Sequence, residues 1–161
     1  MVTTTTTNRV YENKWTLDGV PFESEDIGES YGFVYCITNA VTNQKYIGRK
    51  YFWSIRKVKG KGRRVRSESD WKGYYSSSLV IKEQIDQHGT SIFKREIISL
   101  HSTKGRVNFE EVREQFTNNV LEQDDFINDN ISGRWFRSPD HITRKSRFAT
   151  IASRRASRQD A

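Results

Sequence analysis

Residues 32–38 read Gly32-Phe33-Val34-Tyr35-Cys36-Ile37-Thr38, and after the polar stretch Asn39-Ala40-Val41-Thr42-Asn43-Gln44 the chain continues Lys45-Tyr46-Ile47-Gly48. Phe33–Thr38 is aromatic and β-branched, the composition of a buried strand, because such side chains pack well on a pleated surface. The Asn/Thr stretch reads as a turn and Lys45–Gly48 resumes the strand pattern, so the segment predicts a β-hairpin.

Working outward, Tyr51–Lys57 reads as a short helix, and the Gly/Lys/Arg-rich Lys59–Ser69 as a loop. Ser76-Ser77-Ser78 offers N-cap hydroxyls to a helix over Leu79–His88, with Ile81 and Ile85 one turn apart and Gly89 as its stop. Ile92–Leu100 reads as another strand. Asn108 begins a second helix, with Phe109, Val112, Phe116 and Val120 on one stripe. The fold class expected is α+β: a small antiparallel sheet of about three strands, hairpin first, flanked by helices.

Residues 1–30 read as a leader, a Thr tract followed by an acidic stretch broken by Gly19, Pro21 and Gly28. Within it Trp15, Leu17, Val20 and Phe22 alternate enough for one strand or a strap across the domain; disorder is the alternative for at least the first ten residues. The domain proper is expected over residues 31–137, and residues 138–161 form a basic tail, helical or disordered. No internal repeat or interdomain linker is visible.

The 161 residues suit one domain plus tails. Only 34% are hydrophobic and 29% are charged, but 4 Trp, 7 Tyr and 9 Phe let large rings fill a small core. No apolar run approaches the roughly 18 residues of a membrane span, and Met1–Val10 does not read as a signal peptide. A single cysteine, Cys36, excludes an intrachain disulfide and a Cys-cluster zinc site. A soluble, cytoplasmic protein is expected.

The net charge is +7, unevenly spread. Residues 1–30 carry two basic against six acidic groups, leaving 25 against 14 for the remainder. The densest run extends from Arg56 to Lys72 through Lys57, Lys59, Lys61, Arg63, Arg64 and Arg66, and a second closes the chain over Arg144–Arg158. Such a field attracts polyanions, nucleic acid above all.

Several chemistries are absent. There is no Gly-Lys-Ser/Thr phosphate loop, His88, His101 and His141 lack zinc-ligand spacing, and Cys36 lies within an apolar strand. The hairpin, by contrast, resembles the GIY-YIG endonuclease superfamily, with two tyrosine half-motifs on adjacent strands. The first half reads Phe33-Val34-Tyr35 with its glycine one place outward at Gly32; the second, Tyr46-Ile47-Gly48, is intact. Arg56 follows Tyr46 by ten residues, and Glu111 and Asn128 follow in order, 17 apart. The segment Asp70–Ser78 resembles the phage-encoded branch, homing-like or stand-alone. The resemblance covers roughly residues 32–133.

It implies a divalent-metal-dependent DNA endonuclease that hydrolyses phosphodiesters with Mg²⁺ or Mn²⁺. Glu111 would hold the metal, since such an ion usually binds through one or two carboxylates plus waters. Arg56 would hold the scissile phosphate through its planar fork, with Lys50 or Lys57 as substitutes. Tyr35 or Tyr46 would orient or deprotonate the attacking water, and Asn128 would pin backbone or a phosphate. Asn108 and Glu111 also fit a capping box, which leaves Glu114 and Glu110 as alternative ligands. Many family members place His or Tyr four residues after the arginine; Gly60 stands there, leaving Tyr35, Tyr46, Lys50 or metal-bound hydroxide as the base.

Lys50, Lys57, Arg63, Arg64, Arg66 and Lys72 would line the DNA backbone, with Trp71, Tyr74 or Tyr75 stacking on a base or sugar. Neutralising about six phosphates predicts roughly thousandfold weaker binding between 50 and 200 mM salt. With one site per chain, breaking a duplex requires acting twice or as a homodimer. The alternative function is a DNA- or RNA-binding protein that retains the nuclease fold without the catalysis.

Overall fold

Gly32–Asn39 is a strand and Lys45–Tyr51 returns antiparallel to it, in a computed structural model that describes residues 13–60 and 62–138. In chain order the strands are β1 (Thr16–Leu17), β2 (Val20–Pro21), β3 (Gly32–Asn39), β4 (Lys45–Tyr51), β5 (Trp53–Lys57) and β6 (Arg64–Glu68). Helix α1 (Leu79–His88), β7 (Phe93–His101), helix α2 (Lys104–Thr117), β8 (Asn130–Ile131) and β9 (Trp135–Phe136) follow. The main sheet has five strands in the order β2-β1-β7-β3-β4. It is mixed, because β1 runs parallel to β7 while the other pairs are antiparallel.

β3 is covered on both faces, which is why its sequence is a nearly continuous apolar run. On one face Phe33, Tyr35 and Ile37 meet Trp15, Phe22, Phe52, Trp71 and Ile81 in an aromatic core, with ring centroids 4.8 Å apart for Phe33–Phe52 and 5.0 Å for Trp15–Phe33. On the other, Val34 and Ile47 pack with Val120 and Ile131 beneath α2.

The sheet is wider than the expected three strands because residues 16–21 extend it beyond β7. Trp15, Phe22 and Ile27 are buried in the same core as the hairpin. Two expectations between residues 51 and 69 are overturned. Trp53–Lys57 is a strand rather than a helix, and Arg64–Glu68 is a strand rather than loop; the two pair as an antiparallel ribbon. Their alternating pattern around a Gly-containing connection is a hairpin signal that the density of charge conceals.

Helix α2 also starts a turn earlier than expected. Thr103, not Asn108, is the N-cap, its hydroxyl accepting the Arg106 amide at 3.2 Å. The expected stripe is only half right: Phe109 and Phe116 are 55% and 46% exposed, while the inner face carries Val107, Glu110, Glu111 and Gln115. Phe116 instead packs against Trp135 at 5.1 Å. The polar inner face has a partner, the edge of β4.

Candidate active site

β4 is an edge strand, so every second residue turns its backbone N–H and C=O outward. Three devices meet these groups. Lys45 exchanges main-chain hydrogen bonds with Asp125 (2.7 Å) and Ile127 (2.8 Å). Two residues on, the Asn128 side chain clamps Ile47, its Oδ1 accepting the amide at 3.1 Å and its Nδ2 donating to the carbonyl at 2.9 Å. Gln115 donates to the same carbonyl at 3.0 Å. Two residues further, the main-chain amide of Arg49 hydrogen-bonds the Glu111 carboxylate, which also forms an ion pair with the Arg49 guanidinium.

The other face of the hairpin carries the tyrosines. Register places Tyr35 opposite Gly48 and Ile37 opposite Tyr46, so both rings lie on one face with a glycine between them. The ring centroids are 6.4 Å apart. A Cβ at Gly48 would stand 2.5 Å from Tyr35 Oη and 2.8 Å from Tyr46 Cε1. The glycine is therefore required by the tyrosines above it.

The serines expected to cap α1 serve these phenols instead. Ser78 is the N-cap but makes no side-chain cap bond, and the Ser76 hydroxyl accepts the Ser78 amide at 3.0 Å. Ser76 hydrogen-bonds Tyr35, and Ser77 hydrogen-bonds Tyr46. Ser76 adopts φ +91°, a conformation costing of order 1–3 kcal/mol in a non-glycine residue. Such strain at a buried hydroxyl beside Tyr35 fits a functional constraint.

A cleft of about 620 Å³ opens over the edge of β4 and joins the two faces. Tyr35, Tyr46 and Tyr74 line it together with Arg49 and Glu111, with Arg56 from the ribbon, and with Lys50 and Asp70, Lys50 lying over the Tyr74 ring. The structure thus brings together four of the residues expected to be catalytic, Tyr35, Tyr46, Arg56 and Glu111, with Lys50 beside them. Asn128 does not reach the cleft; it is 1% exposed and grips the strand that carries Tyr46 and Gly48. Glu111 is not a capping residue, because it lies in the middle of α2. Of its rivals, Glu110 is held by Arg106 and Arg113 at 2.5 Å each, and Glu114 is bonded to Asn118 at 3.3 Å; neither lines the cleft.

The basic residues divide. Lys57, Arg63, Arg64 and Arg66 are exposed on the ribbon and its connection. Lys50 reaches Asp70 at 2.6 Å and lies 4.1 Å over the Tyr74 ring. Lys72 turns toward Glu23, 3.7 Å away. Trp71 is fully buried and donates to the Glu68 carboxylate at 2.6 Å, so the stacking on DNA expected of it is ruled out by packing. Gly60 sits in the ribbon's connection with φ +86°, outside the cleft.

Electrostatics separates the roles further. Burial, reinforced by Tyr74 and Tyr46, pushes the Tyr35 phenol well above its ordinary value, and burial raises Tyr46 as well. Both therefore stay protonated near neutral pH and are suited to donating hydrogen bonds. Burial raises the Glu111 carboxyl, with Arg49 pulling it back. Among the described residues there is no cluster of three or more metal-ligating side chains. A divalent cation at Glu111 would rest on one carboxylate plus water and phosphate oxygens, a donor set that suits Mg²⁺.

Arg49 is the residue that sequence reasoning missed. Its signal was its place directly after Tyr46-Ile47-Gly48, two residues along the edge strand from Ile47. A family model described as "Putative endonuclease segE, GIY-YIG domain" matches residues 15–131. No curated protein and no solved structure matches the chain. No described helix is long and apolar enough to cross a membrane.

Proposed function

Because the chain belongs to the SegE GIY-YIG domain family, a nuclease-type family, we propose that it is a divalent-metal-dependent endonuclease that hydrolyses phosphodiester bonds in DNA. The observation that carries this reading is convergence: β3, β4, β5 and α2 each deliver one of Tyr35, Tyr46, Arg56 and Glu111 to a single cleft.

The cleft supplies what phosphodiester hydrolysis needs. Arg56 at the open rim, with Lys50 deeper in, binds the phosphate flanking the scissile bond. Tyr35 and Tyr46, kept protonated by burial and oriented by Ser76 and Ser77, donate hydrogen bonds that position the attacking water and the phosphoryl oxygens. Glu111 is the carboxylate that would hold Mg²⁺ or Mn²⁺, an ion that when bound neutralises phosphoryl charge and lowers the pKa of water. Arg49, paired to Glu111, screens that carboxylate and lies close enough to follow a phosphate. Asn128 acts as a positioning residue, fixing Ile47 between Tyr46 and Gly48.

Cleavage of a labelled duplex oligonucleotide under single-turnover conditions tests the assignment. Tyr46→Phe and Arg56→Ala should each slow product formation by about 10²-fold. Rates within twofold of wild type for both would remove the cleft from the chemistry. One observation favours a second reading, a DNA-binding protein without catalysis: Arg49 already neutralises Glu111. Duplex binding with no cleavage under Mg²⁺ or Mn²⁺ would select it.

A further inference from the structure

The β5–β6 ribbon has two faces; the cleft takes Ser54 and Arg56 from one and, from the other, only the pair at its base, Trp53 and Glu68. Directly opposed residues share a face, so the register places Ser54, Arg56, Val65 and Ser67 together, with Ser54 and Arg56 lining the cleft. The opposite face carries Ile55 opposite Arg66 and Lys57 opposite Arg64. Ile55 is 53% exposed, and every residue of β6 is exposed.

This face is built against its own stability. Like charges directly opposite each other destabilise a strand pair, and an isolated two-stranded ribbon is marginal in water. Yet Lys57 faces Arg64 with no carboxylate between them. The described residues from Trp53 to Glu68 include Arg56, Lys57, Lys59, Arg63, Arg64 and Arg66 against Glu68 alone. That single carboxylate is engaged at the base, accepting from Ser24 at 2.7 Å and Trp71 at 2.6 Å.

The base itself is fixed. Trp53 donates to the Ser30 carbonyl at 3.0 Å, and Ser69 bonds Phe52 and Tyr51 at 2.7 Å each. Arg66 is laid over the Trp53 indole at 4.0 Å, a cation–π contact that limits its freedom. A rigidly mounted, repelling cationic ribbon calls for a polyanion. Its shape selects which one: a two-stranded ribbon fits the roughly 12 Å major groove of B-DNA, whereas the major groove of A-form RNA is too deep and narrow to be read.

We propose that the β5–β6 ribbon enters the major groove of duplex DNA beside the cleft, with Arg64 and Arg66 reading guanines by bidentate hydrogen bonds. This rests on the DNA-cleaving reading above and extends it from backbone contact to base recognition. Residues two apart on a strand are spaced by about 6.8 Å, which equals two base-pair steps of about 3.4 Å. The guanines read by Arg64 and Arg66 therefore lie two base pairs apart.

The test is selection of binders by the full chain from a randomised duplex in EDTA, repeated with Arg64→Ala and Arg66→Ala. Wild type should enrich two guanines two base pairs apart, and each substitution should erase one, with about tenfold or greater loss of preference at that position. Arg64 and Arg66 are exposed, and matching circular dichroism spectra confirm that the variants fold. Binding without base preference, preference surviving both substitutions, stronger binding to duplex RNA, or no binding to duplex DNA would each overturn the assignment. The selection needs no cleavage, so it fails independently of the nuclease reading. Cutting without base preference removes only the ribbon's role, and ribbon-dependent preference without metal-dependent cutting removes only the nuclease.

Discussion

Gly48→Ala isolates the tyrosine pair from every other feature of the site. The added Cβ would meet Tyr35 Oη at 2.5 Å, Tyr35 Cζ at 2.7 Å and Tyr46 Cε1 at 2.8 Å. Carbon contacts are comfortable at about 3.5–4.0 Å, so the rings must retreat by close to 1 Å. Tyr35 has little room, being 1% exposed with Trp15 at 5.1 Å and Tyr74 at 6.0 Å between ring centroids. Overpacking of this kind costs about 1–3 kcal/mol. At roughly 4 °C per kcal/mol for a domain of this size, thermal melting should fall by about 4–12 °C. A hydroxyl displaced by about 1 Å should also cost on the order of 10²-fold in cleavage rate. Gly105→Ala is the control: its Cβ meets nothing within 4 Å and sits in α2, where alanine gains about 0.5 kcal/mol or more. Gly48→Ala melting within about 1 °C of wild type, at undiminished rate, would refute the crossing of the rings over the glycine.

Asn128→Ala should destabilise by about 1–3 kcal/mol, because it leaves the buried Ile47 amide without its acceptor; urea denaturation measures it, and an unchanged midpoint would show that Asn128 is no clamp. Arg95→Met should cost about 3 kcal/mol or more, since the buried guanidinium donates to the carbonyls of Asn13, Lys72 and Tyr74 at 2.8–2.9 Å; a melting temperature near wild type would contradict that. The tyrosines set an alkaline limit. Tyr35 and Tyr46 have folded pKa values above the ordinary 10.0, so above pH 10 the unfolded chain loses protons that the folded chain keeps, and stability declines as pH rises. Tyr35→Phe should flatten that decline in melts recorded between pH 9 and 11, and an identical slope would place the Tyr35 phenol in an unperturbed environment.

Much of this fold is written in local pattern. The hairpin is legible because β3 is covered on both faces and so reads as an apolar run, and α1 is legible because Ile81 and Gly89 mark its face and its end. Where polar residues do structural work, pattern misleads. The inner face of α2 is Glu110, Glu111 and Gln115 because it meets strand-edge amides and arginines, so the exposed Phe109 and Phe116 imitate a core stripe. Arg95 is 1% exposed in the interior, donating to three carbonyls and lying 4.0 Å over Tyr75, which composition files under surface charge. The resemblance to the GIY-YIG superfamily singled out Tyr35, Tyr46, Arg56 and Glu111 without tertiary information, and all four line the cleft. Arg49 was passed over, despite its place after Tyr46-Ile47-Gly48, because its partner lies 62 residues away. Trp71 was misread for the opposite reason: its basic neighbours suggest DNA, while its indole closes the aromatic core.

Incubation of supercoiled plasmid with wild type and Glu111→Gln, in Mg²⁺, Mn²⁺ or EDTA, tests the central claim most directly. The account predicts nicked or linear product from wild type with metal, none in EDTA, and none from Glu111→Gln, although that variant still shifts duplex DNA in a gel. Cutting by Glu111→Gln at the wild-type rate, or equal cutting by wild type in EDTA, would contradict it.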